Sequence, residues 1–498
     1  MLFSSFTFIF QFLPATLLAF AAARRHSARA GILVLLAASL IFYGAWHPAY
    51  LLLLVASIAM NFSLGLLMEE EGRRRVVGLC GVAVDLGLLA YFKYANFLLD
   101  SFGTVTGTHV ALANILLPLG ISFFTFQQIA YLVDVMRGAR VERDIVSYAL
   151  FVTFFPHLIA GPLVHHAEMI PQFKRAPSRR TAVLAARAVA IFVAGLFKKV
   201  MIADELSQFV SPVFAHLDAG GTASPAFAWL ATLAYALQIY FDFSGYSDMA
   251  IGLALMFGVR LPVNFRSPYR SLSIIDFWRR WHITLSRFLR DYLYIPLGGN
   301  RQGPARRHVN LMITMLLGGL WHGAGWNFVI WGGLHGAYLI INHFWRTLRG
   351  SDGKPRAMAE RLASWAVTFA SVVLAWVFFR AGTTGGAARM FGGLVGYPLS
   401  GPDYVPSPVF TTFGLPVWVG PNGFLWLGAA IVGCALAVAI GCPNTLQIFG
   451  YREYHRAPEP DGWLRWRPTA GWAALTAVAL TLSLFGMWQR LEFLYFQF

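Results

Sequence analysis

Two histidines stand where a helical membrane protein would not place them cheaply. His322 lies in Gly318-Gly-Leu-Trp321-His322-Gly-Ala-Gly-Trp-Asn327, between an apolar run that begins near Val309 and another that begins near Phe328. A neutral imidazole at depth serves as a general base near neutral pH, and the surrounding glycines leave room for close backbone approach or for a ligand. The competing role is a hydrogen-bonded structural histidine. Forty residues earlier, His282 closes Phe277-Trp-Arg279-Arg280-Trp281-His282 and precedes Ile-Thr-Leu-Ser286. This stretch and the following Arg290, Asp291, Tyr292, Tyr294 and Pro296-Leu-Gly-Gly-Asn300-Arg301 are basic and aromatic. Guanidinium forks of this kind hold the phosphates of a nucleotide-bearing acyl donor, with Arg279, Arg280, Trp281 and Asn300 as the candidates. The same arginines also suit anionic lipid headgroups.

A third cluster, Gln238-Ile-Tyr-Phe-Asp242-Phe-Ser244-Gly-Tyr246-Ser-Asp248, carries two carboxylates between apolar runs. Each charge costs about 2.5–3.5 kcal/mol at the centre of an inserted helix, so a role is expected of it. Asp242, Ser244, Tyr246, Asp248 and Trp321 are candidates for lining a substrate tunnel. On an unbroken helix Asp242 and Asp248 point about 240° apart, so facing one cavity requires a kink near Ser244-Gly245. Otherwise they cap helices or pair with basic residues. His157, His165, His166 and His335 are weaker candidates. No metal-ligand spacing is present, and no metal is expected; nor is there a nucleophile elbow, a P-loop or a dinucleotide fingerprint.

The elements that must position these groups are membrane helices. Of 498 residues 57% are apolar and only 12% charged, against about 25% charged in a soluble domain, which excludes a soluble single-core enzyme. The formal charge of +16 is concentrated between apolar runs, so it reads as topology and not as a nucleic-acid surface. Cys80, Cys434 and Cys442 are too scattered for a disulfide framework or a zinc site. Spans are expected at residues 6–23, 31–46, 48–68, 76–98, 115–136, 145–163, 183–203, 225–241, 246–258, 308–322, 326–344, 362–379, 424–441 and 470–488. Residues 267–305 are too polar for lipid and too apolar for a solvated loop, so a re-entrant or protein-buried helix is expected there.

Arg24, Arg25 and Arg29 follow the first apolar run, which predicts an uncleaved helix with its N-terminus outside. Arg346, Arg349, Lys354, Arg356 and Arg361 place that loop in the cytoplasm, and Arg452, Arg456, Arg465 and Arg467 do the same for 442–468. Loop 380–423, with only Arg380 and Arg389, falls outside, as does the closing Phe493–Phe498. No internal repeat or charged linker divides the chain, so residues 1–498 read as one transmembrane domain.

Several stretches together resemble the membrane-bound O-acyltransferase (MBOAT) family, most closely its bacterial alginate O-acetylation (AlgI-type) branch. They are Gln238–Gly252, Asn264-Phe-Arg-Ser-Pro-Tyr269, Phe277–Ser286, Arg290–Arg301 and Thr314–Gly323, with Phe3-Ser-Ser, Phe154–Pro162 and Phe493–Phe498 adding to the likeness. The resemblance implies an all-α polytopic fold, a ring of tilted helices with re-entrant segments around a central tunnel. It implies that His322 occupies the catalytic-histidine position and His282 the second polar position, usually Asn or His. No permanently bound cofactor is expected; acetyl-CoA or another acyl thioester is the donor substrate. The implied partners are a periplasmic SGNH-type acetyltransferase, polysaccharide export machinery and membrane lipids in a bacterial inner membrane. Two alternatives stand: D-alanyl transfer from an acyl-carrier protein, and transport of a polysaccharide or lipid-linked substrate. The missing repeats weigh against the transporter.

Overall fold

The computed structural model describes residues 1–108, 115–175, 182–350, 357–413, 415–454 and 462–488. Lys354, Arg356, Arg456 and Phe493–Phe498, used above for topology or likeness, lie outside these residues. The fold is all-α: helices follow one another along the chain, and the sheet among the described residues is one antiparallel hairpin, β1 (Val409–Thr412) with β2 (Leu415–Trp418). Among the described residues five helices are long and apolar enough to cross a membrane, which makes this a multi-pass membrane protein.

The chain forms two compact units. One comprises Met1–Phe192, Ser247–Val263 and Gly450–Glu459, the other Val193–Tyr246, Asn264–Phe449 and Pro460–Phe498. In the first, α1 (Pro48–Leu67), α2 (Arg74–Thr106) and α3 (Ile121–Met136) bury polar side chains against one another. Asn61 Nδ2 donates to Asp85 Oδ1 at 2.9 Å, and Gln128 Nε2 donates to Ser57 Oγ at 2.9 Å. Such pairs satisfy groups that lipid cannot. The span expected at 145–163 stops early, because α4 (Ile145–Thr153) ends before Pro156, whose ring disfavours helix in the residue before it. Asp144 caps α4. Burial would push its carboxyl up, but hydrogen bonds from Arg29, Ser147 and the Val146 amide hold it at about 2.

In the second unit the segments that carry the histidines are brought together. The expected spans 225–241 and 246–258 are one continuous helix, α5 (Pro225–Met256), with no break at Ser244-Gly245. The irregular stretch 267–305 is a set of short, partly buried turns, among them α6 (Ile274–Trp278) and α7 (Ile283–Leu289). Then α8 (Gly303–His322) and α9 (Trp326–Arg349) form a hairpin, followed by α10 (Met358–Arg380).

Candidate active site

His322 is the last residue of α8, and four residues later α9 starts back. The two helices touch backbone to backbone. A Cβ on Gly319 would lie 2.2 Å from the Phe328 carbonyl oxygen, and one on Gly332 2.4 Å from that of Met315. Only glycine permits this approach, and it sets the His322 ring 5.2 Å from Trp331. Trp321 at 4.9 Å and Phe379 of α10 at 5.0 Å complete the surround. His322 keeps 6% of its surface exposed. Its wall is therefore aromatic, which excludes bulk water but tolerates a flat or polar guest better than packed aliphatics do.

His282 reaches the same place by a strained route. Its φ of 41° puts a non-glycine residue in the left-handed region, a conformation that costs on the order of 1–3 kcal/mol and needs support. Asn264 supplies it twice: its carbonyl accepts from the Ile283 amide at 3.0 Å, and its Oδ1 accepts from the Thr284 hydroxyl at 2.6 Å. The imidazole is fully buried, yet neither ring nitrogen has a hydrogen-bond partner among the described residues. Buried polar atoms are seldom left so, and a ligand or water that completes them is the ordinary reason. Ring contacts orient the imidazole: Phe243 edge-on at 4.8 Å, Trp321 at 5.9 Å and His322 itself at 6.3 Å between centroids.

The other candidates disperse. Arg279 and Asn300 are exposed, while Arg280 is tied by Nε to Asp276 Oδ1 at 2.9 Å and by Nη1 to the Arg266 carbonyl. Trp281 is buried among Phe265, Phe277, Tyr240 and Trp376. Asp242, Ser244, Tyr246 and Asp248 are all buried on α5, and Asp242 forms an ion pair with Lys199. Asp248 belongs to the first unit, the other three to the second. His335 sits 4.7 Å from the Trp331 ring, whose neighbour is also His322, although the two histidines lie on different helices. His157 contacts Gln127, and His165 and His166 approach Asp134 at 3.8 and 3.7 Å. Among the described residues no group of three or more His, Cys, Asp or Glu could hold a metal ion.

Residues that the sequence did not single out also build this place: Trp331, Phe379, Phe243, Asn264 and Lys199. Trp331 could have been flagged because Trp331-Gly-Gly-Leu-His335-Gly336 repeats the mix of tryptophan, glycine and a His-Gly pair around His322. Phe379 carries no such signal.

Residues 138–379 match the family model for MBOAT, the membrane-bound O-acyltransferase family. The chain is 43% identical over 430 residues to a peptidoglycan O-acetyltransferase of Helicobacter pylori, covering 80% of each. It is 41% identical over 472 residues to the probable alginate O-acetylase AlgI of Pseudomonas putida, covering 92% of this chain and 89% of that one. A teichoic acid D-alanyltransferase of Streptococcus thermophilus is 28% identical over 55% of this chain. The juxtaposed imidazoles fall within or beside the stretches that carried the likeness, and identity of this extent shows that the chain belongs to the membrane-bound O-acyltransferase family and is an O-acyltransferase.

Proposed function

We propose that the protein takes an acetyl group from a cytoplasmic acyl thioester, acetyl-CoA, and passes it through the bacterial inner membrane for O-acetylation of an exported polysaccharide such as alginate. The observation that carries this is the pair of buried imidazoles, His282 and His322, 6.3 Å apart in an aromatic surround. The Helicobacter and Pseudomonas putida relatives, both above 40% identity, are named for O-acetylation, whereas the D-alanyl-transferring relative is more distant, which favours acetyl.

In the chemistry we propose, His322 takes the proton of an acceptor hydroxyl as its oxygen attacks the thioester carbonyl. The C–S bond then breaks, and the thiolate leaves with the proton returned by the imidazolium. His282, as a neutral ring with one N–H that no described residue engages, donates to the carbonyl oxygen as negative charge develops there. A thioester is already activated, so the protein's larger task is to exclude water, which the rings around His322 serve. The exposed Arg279 and Asn300 offer donors to the phosphates of the nucleotide, and Arg280 and Trp281 hold the segment that presents them. A separate periplasmic SGNH-type acetyltransferase, working with the export machinery, completes transfer to the polymer, since this chain has no serine-hydrolase motif of its own.

His322→Ala tests the proposal. Ester-linked acetyl on surface glycan, read by mass spectrometry, should fall at least about a hundredfold while the protein remains inserted and monodisperse. Unchanged acetyl content removes His322 from the chemistry, and acetylation of polysaccharide by the purified chain alone removes the relay.

A further inference from the structure

We infer that Lys199, Asp204 and Asp242 form a buried ionic clasp that positions Phe243, and through it His282. Lys199 Nζ lies 2.6 Å from Asp204 Oδ1 and 2.8 Å from Asp242 Oδ1, and the three residues are 3%, 8% and 1% exposed. Apolar residues of similar volume would cost less to bury than these ions, so packing alone does not account for the clasp. What charges add is register. A one-residue slip of α5 would move Asp242 about 1.5 Å along the axis and rotate it by about 100°, breaking the pair outright.

Two further features fix the same register. The backbone turns as a π-helix over Lys198–Ala203, the wider turn that recurs at functional sites in helices. One turn after Asp242, Gly245 packs on this segment so closely that a Cβ there would lie 2.7 Å from the Gly195 carbonyl oxygen and 3.2 Å from the Lys199 nitrogen. Helix α5 is thus held sterically at Gly245 and electrostatically at Asp242.

Phe243, between them, receives the benefit. Its ring meets His282 edge-on at 87° and Phe265 at 5.0 Å. Because no hydrogen bond from the described residues holds the His282 ring, its orientation depends on such contacts, and Phe243 is one that α5 contributes. Lys199, Asp204 and Asp242 are therefore positioning residues, in an inference that rests on His282 serving acyl transfer as proposed above.

The test uses the full chain with Asp242→Asn, Phe243→Leu and their double variant. Asp242→Asn leaves Lys199 and Asp204 as a neutral pair, which favours folding. Each single change should lower kcat for thioester turnover by about tenfold to a hundredfold, with KM for the donor within about twofold. The double should be no more than about twofold worse than the poorer single, because both act on one ring. Carbethoxylation of His282 by diethyl pyrocarbonate, followed by mass spectrometry, should speed up at least about threefold in both singles, and Lys199→Arg should preserve the slow labelling. Labelling unchanged from the parent, or losses that multiply in the double, would overturn the clasp. Faster labelling with undiminished turnover would uphold the clasp and instead remove His282 from the chemistry. Should Asp242→Asn fail to give monodisperse protein, Phe243→Leu alters no charge and decides by its labelling and turnover alone.

Discussion

His157 and His282 are both completely buried imidazoles, one in each compact unit, and they are treated differently. His157 Nδ1 has Gln127 Nε2 at 3.2 Å, in a unit where Asn61 also meets Asp85 and Gln128 meets Ser57. His282 has rings on its sides and, among the described residues, no partner on its nitrogens. Polar groups that satisfy each other hold helices together in lipid. An imidazole kept in a strained backbone and denied a partner is held ready for something that arrives.

That contrast can be broken first at the two rings. Replacing His282 with Ala should reduce acetyl transfer about a hundredfold or more, and with Asn by less, since an amide retains a donor. His157→Asn should stay within about twofold per folded molecule. Comparable losses in both, at equal yield of monodisperse protein, would abolish the distinction. A finer probe is Asn264→Ala, which removes the Oδ1 that accepts from Thr284 and lets His282 relax from its left-handed backbone. We expect about a tenfold fall in kcat with little change in melting temperature; a melting loss with kcat preserved would make Asn264 structural only. The smallest effect on transfer belongs to the first unit. Asn61→Leu strips Asp85 of its amide donor and should cost about 1–3 kcal/mol of stability in detergent melts, with transfer per folded molecule unchanged. Adding Asp85→Leu should restore most of that loss. A transfer defect that persists in the restored double would give this region a part in the chemistry.

Much of the site was legible because its signals are local. His322 stands out through the glycines and tryptophans beside it, and His282 through its aromatic and basic run. What escaped depends on contacts distant in sequence: Phe379 lies 57 residues beyond His322, and Lys199 lies 43 before Asp242. The same gap explains the helix break that does not form. Two carboxylates in an apolar run look like a reason to break the helix, but a lysine from another segment meets Asp242 and α5 continues. For 145–163, hydropathy ran on past Pro156 where the backbone could not. Arg280 and Trp281 show the opposite limit, since residue type drew attention to side chains that proved tied to a neighbouring carboxylate or packed among rings.

Helix α5 has the lowest mean hydropathy of the five spans, 1.2 against 1.7 to 2.3, and 78% of its apolar window is wrapped by protein. Such a segment gains little from lipid when it leaves the translocon, and Asp242 makes the step harder still. Lys199, synthesised earlier, is the counter-ion that removes this penalty, so membrane integration and tertiary assembly of this stretch are one event during biogenesis. An isolated 225–256 segment should integrate poorly in a glycosylation-mapping assay and improve when 182–224 precedes it; efficient integration alone would separate the two events.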